Sequence, residues 1–178
     1  MKFEALKESI KPGDIILTFK RGSLFSGLIW LVSKLGRREY ARKPRLSHCI
    51  IYLGGGLISD SSLAGGVTIK NVRAYARRYD LRLARYRGKG LDKKKLVRYC
   101  TDSAGIIKYA YFQIVAIAFK RVFLRRDVKK DLDNKAMHCS EFVASAFLAQ
   151  GIRLVEGKRP FMVSPLDIYS SPKVKIIG

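Results

Sequence analysis

The sequence predicts an α+β fold, a small antiparallel β-sheet packed against helices, and three observations carry that prediction. The chain has 178 residues, 48% of them hydrophobic and 11% aromatic, which is enough for one buried core. Two β-rich runs, LSHCIIYL and LISDSS, are separated by Gly54-Gly55-Gly56, the pattern of a hairpin. A late apolar segment, HCSEFVASAFLAQG, has helical length and stops at Gly151.

In order along the chain, KPGDIILTF reads as a turn at Pro12-Gly13 followed by an apolar strand, Ile15 to Phe19. SLFSGLIWLVSKLG reads as a helix with Ser23 as N-cap, Leu24, Leu28, Leu31 and Leu35 on one apolar stripe, and Gly36 just past the end. Trp30, the only tryptophan, falls off that stripe. It is expected to lie under another element, with a recognition surface as the competing role. RREYARKPR is a basic loop leading into the hairpin, and GVTIKNV continues the sheet. LRLARYR alternates apolar and basic positions as a half-exposed strand does. Leu91 to Ser103 and Ile106 to Leu124 read as two helices broken near Gly105. The connector RRDVKKDLDNK follows, then the late helix. The tail turns at Pro165 and Pro172 and ends in an edge strand. With neither repeat nor low-complexity linker, residues 1–178 are expected to form a single domain with a helical insertion around 89–138.

Only two histidines are present, His48 and His138, and each precedes a cysteine. Adjacent residues diverge on strands and helices alike, so neither neighbouring pair readily forms a thiolate–imidazole couple. The productive pair must be crossed, either Cys139 with His48 or Cys49 with His138. Cys139 begins a helix, where unpaired N–H groups and partial positive charge favour thiolate. Cys49 lies inside a β run and is expected to fill core, as is Cys100 on its lysine-rich helix. His138 is expected to be solvated or to cap. The odd number of cysteines and the absence of CxxC spacing suggest neither a disulfide framework nor a metal site.

KPGDIIL, LSHCIIYLGGG with ISDSSLAGGV, HCSEFVASAFLAQG and VSPLDIYSSP, in that order, resemble the circularly permuted NlpC-like branch of the papain-fold cysteine hydrolases. The YiiX-like proteins and, more distantly, the lecithin:retinol acyltransferase family belong there. The resemblance runs from about Pro12 to Pro172 and has no motif within 89–138. It implies Cys139 as nucleophile, His48 as general base, and Asp60 as the group orienting the imidazole from the sheet's Cys139 side. Ser59 and Ser61 are the fallbacks for Asp60, because DSS stands where an acidic residue followed by Ala is commoner. It further implies amide cleavage through a thioester, in peptidoglycan peptides first and lipid acyl or amide bonds second, with no cofactor.

Lys and Arg total 36 against 14 acidic residues, a formal net charge of +22, which calls for an anionic partner such as a wall polymer or membrane surface. Specific nucleic-acid binding lacks any motif beyond a basic, tyrosine-bearing stretch, RAYARRYDLRLARYRGKGLDKKK. Residues 1–13 carry charge throughout and no apolar run of signal-peptide length. Synthesis in the cytoplasm is therefore expected, with release by lysis or delivery on a virion. The apolar run Tyr109 to Phe119 is too short to cross a bilayer and reads as a buried or interfacial helix. A non-catalytic basic structural or virion protein, adhering to an anionic surface, is the competing class.

Overall fold

Five of the six positions of strand β1, Ile15–Lys20, are buried, as a strand covered on both faces requires. The computed structural model describes residues 7–34, 38–62, 65–76, 79–108 and 136–177. In it β1 is flanked by β2, His48–Gly54, and β5, Tyr79–Tyr86. β3, Leu57–Ser62, and β4, Gly66–Asn71, extend the sheet beyond β2, and β6, Val174–Ile177, closes it beyond β5. The strand order is β4-β3-β2-β1-β5-β6, and every pairing is antiparallel. Gly54, Gly55 and Gly56 all take positive φ, which lets β2 turn tightly into β3. Asp14 ties the entry of β1 to β5 by accepting two bonds from the Arg85 guanidinium, each 2.7 Å.

Side-chain alternation divides the interior into two cores. Ile15, Leu17, Cys49 and Ile51 face the helical layer, where Leu96, Cys100, Phe142, Val143 and Phe147 meet them. Ile16, Ile50, Ile58, Leu81 and Leu83 face the other way and pack with Val72 and Tyr75. The helices named from the described residues are α1, Leu24–Lys34; the one-turn α2, Arg73–Ala76; α3, Lys93–Ser103; α4, Cys139–Leu148; and α5, Pro165–Ser170. Asp92 caps α3 by accepting from the Lys94 and Lys95 N–H groups.

The expected α+β class and antiparallel sheet are both present, with these departures. Leu24, Leu28 and Leu31 are not the buried face of α1: they are 94%, 54% and 50% exposed. Trp30 packs against the main core instead, with Lys34 Nζ 4.4 Å and the Arg45 guanidinium 5.2 Å from its ring centroid. Periodicity found the stripe but did not say which side the sheet lay on. Ser23 does cap α1, its hydroxyl accepting from the Ser26 N–H. Ile106 to Lys108 are not helical: the Ile107 carbonyl accepts from Val67 N–H, which holds this segment against β4. The rest of the expected 106–124 helix, the connector after it, Leu35 of the stripe and Gly36 lie outside the described residues. Pro165 opens a short helix rather than a turn, because Ser164 and Asp167 form a capping box around it.

Candidate active site

Strand β2 begins at His48, opposite Thr18 of β1, and helix α4 begins at Cys139. α4 starts there because His138 is its N-cap: the ring Nδ1 accepts from the Glu141 N–H at 3.2 Å. Its Nε2–H donates to the Phe161 carbonyl at 3.1 Å, so both ring nitrogens have partners. His138 is thus buried and capping. As at any helix start, the first N–H groups of α4, those of Cys139 and Ser140, have no acceptor within the helix.

The structure brings Cys139, His48 and Asp60 together. His48 Nε2 donates to Asp60 Oδ1 at 2.7 Å, which leaves Nδ1 for the thiol. Asp60 shares the alternation of Ile58 and accepts from Tyr75, so its carboxylate lies on the Tyr75 face of the sheet, and His48 links it to Cys139. Because His48 is the first residue of its strand, the constellation straddles the end of the sheet. Cys139 is 4% exposed and the His48 side chain 18%, making the imidazole the solvent edge of the pair.

Asp60 is fully buried, and its second oxygen accepts from Lys70 Nζ and from the Tyr75 hydroxyl, each at 2.6 Å. Burial pushes its pKa up, but the bonds from His48, Lys70 and Tyr75 and the His48 charge outweigh it, holding the carboxyl well below its ordinary range. The Tyr75 ring also stacks on His48, 8° from parallel at 6.3 Å between centroids. It is Asp60, rather than either fallback serine, that holds His48. Ser61 donates to the Met137 carbonyl, and Ser59 lies against Cys100.

The thiol and imidazole perturb each other in the sense a nucleophile needs. Burial alone would lower the His48 pKa, yet the Cys139 charge, with the bonds to Asp60 and Cys139, pushes it up to about 10. A hydrogen bond from Cys49 is the largest influence drawing Cys139 well below the usual thiol value. Burial opposes it, and the His48 charge and bonds from His138 and His48 add to it. Burial first, then the neighbouring Cys139 thiolate, drives the Cys49 thiol well above its ordinary value. Cys49 fills the core as expected, beside Cys139 in the same cluster. Burial likewise pushes Cys100 up to about 12.

Sequence reasoning missed Lys70 and Tyr75. Lys70 lies ten residues beyond Asp60 on the neighbouring strand, a pairing only the register reveals. Among the described residues no group of three or more His, Cys, Asp or Glu side chains is placed to hold a metal ion. Comparison of the chain with known protein families and with curated proteins finds no match.

Proposed function

We propose that the chain is a cysteine hydrolase of the permuted papain-like type, cleaving amide bonds through a thioester on Cys139. One observation carries the reading. The thiol at the start of α4 is paired with an imidazole whose far nitrogen is held by the buried Asp60. The Cys139 thiolate attacks the carbonyl carbon, and the N–H groups of Cys139 and Ser140 take the oxyanion. Collapse breaks the C–N bond, with the His48 imidazolium protonating the departing amine. Water, deprotonated by His48, then cleaves the thioester to carboxylate and returns the thiolate.

The motif order supports peptidoglycan peptides as the first substrate class, and the +22 charge supports a polyanionic surface as the place of work. A lipid acyl or amide bond is the second reading, favoured by the exposed leucines of α1. The test is incubation of the protein and its Cys139→Ala variant with cell-wall fragments and with acyl lipids, reading products by mass spectrometry. Cys139-dependent release of peptides is expected. Cleavage of lipid alone moves the reading to the second class, and cleavage of neither leaves a basic adhesion protein.

A further inference from the structure

From α1 and its surroundings we infer that this chain docks on anionic lipid bilayers, with the leucine stripe of α1 as the inserting element. Leu24, Leu28 and Leu31 recur at i, i+4 and i+7 on an eleven-residue helix, forming one line along it. They are 94%, 54% and 50% exposed, an apolar row that a lone solvated helix face does not need. The sequence around the row is strongly basic, although Arg21 is paired with Asp80. Between Ile15 and Ser47 the chain carries eight basic residues, Lys20, Arg21, Lys34, Arg37, Arg38, Arg42, Lys43 and Arg45, against the single acidic Glu39. Lys20 and Arg45 are exposed, and Lys34 with Arg45 flanks Trp30 beside the stripe. An apolar row rimmed by cations and a tryptophan fits the boundary between acyl chains and anionic headgroups.

Charge complementarity favours this occupant over a second copy of the chain, whose own α1 would bring the same positive rim against this one. It also favours a bilayer over the apolar run Tyr109 to Phe119, because that run continues into KRVFLRRDVKK, again basic. The position of α1 adds a consequence that rests on the hydrolase reading. The segment 21–47 leaves β1 and enters β2 at His48, and Trp30 packs on the core cluster that contains Cys139. Docking through α1 would therefore hold the reactive thiol near the bilayer surface.

The test is co-sedimentation of the full chain with vesicles of phosphatidylcholine alone and of phosphatidylcholine with phosphatidylglycerol, at about 0.1 M salt. Wild type is compared with Leu28→Ser/Leu31→Ser, Leu28→Glu/Leu31→Glu and Cys139→Ala. Both leucines are half exposed, so a circular-dichroism melt should show the Ser pair folded. Expected are preference for the anionic vesicles, about tenfold or greater loss of binding in the Ser pair, a larger loss in the Glu pair, and unchanged binding by Cys139→Ala. Equal binding by wild type and the Ser pair, or equal binding to neutral and anionic vesicles, overturns the inference. So does absence of vesicle binding, including the case where wild type is a dimer that the Ser pair dissolves. Because binding is read without turnover, an inert wild type that still needs Leu28 and Leu31 to bind defeats the hydrolase reading alone.

Discussion

At Asp60 a fully buried carboxylate accepts from His48, Lys70 and Tyr75, and the consequences of removing its charge can be worked out with sign. Asp60→Asn leaves Lys70 facing a neutral amide and withdraws one of the groups that raise the His48 pKa. Breaking a buried charge network from one side costs about 3–5 kcal/mol, so the variant should melt well below wild type. The depressed Asp60 carboxyl contributes stability that is present above about pH 4 and lost as pH falls through its lower folded value. The raised His48 contributes stability that is full below about pH 6.5 and lost progressively as pH rises to about 10. The stability gap between wild type and Asp60→Asn should therefore be widest near pH 5–6 and narrow toward pH 10, which denaturant titrations across that range would measure. A gap independent of pH would assign Asp60 to packing alone. Turnover by the variant should fall about a hundredfold or more, since the imidazole loses its orienting charge.

Among the elements, the β2–β3 hairpin was legible because its signal is local, two β-rich runs around three glycines that all adopt positive φ. The start of α4 was legible for the same reason, although the identity of its cap was left open between capping and solvation. What stayed hidden depends on which side of an element faces the sheet. The leucine stripe of α1 is regular but outward, and the Tyr75 face on which the Asp60 carboxylate lies follows from register that no local pattern contains. The same limit applies where β4 meets the segment after α3. Gly66 takes φ +68°, and a Cβ there would lie 2.2 Å from the Ile107 carbonyl oxygen. Gly22 has φ +71° with open space around its Cβ position. Gly22→Ala should cost about 1 kcal/mol from backbone strain alone. Gly66→Ala adds a collision with backbone and should cost about 3 kcal/mol, a melting-temperature drop of roughly 6–12 °C for a chain of this size. Equal melting temperatures for the two variants would show that the 105–108 segment gives way freely.

Over the whole molecule the net charge of +22 separates what binds from what reacts. Exposed charges act over about 10 Å at 0.1 M salt and about 3 Å at 1 M, so association with a soluble polyanion such as dextran sulfate should weaken steeply along a salt series. Retention unchanged at 1 M would refer that binding to an apolar contact. Among the described residues no helix is long and apolar enough to cross a membrane. The thiol chemistry, by contrast, should be indifferent to salt, because its charges are buried and paired. All three cysteines are buried, and only Cys139 has its pKa drawn down while Cys49 and Cys100 are driven up. Alkylation of the folded chain with iodoacetamide from pH 5 to pH 9, with the labelled peptides mapped by mass spectrometry, therefore tests the hydrolase reading most directly. Expected is selective labelling of Cys139 already at pH 5–6, slowed by His48→Ala, with Cys49 and Cys100 unlabelled throughout. Labelling of Cys139 only above about pH 8.5, at the rate of an ordinary thiol and unaffected by His48→Ala, would contradict that reading.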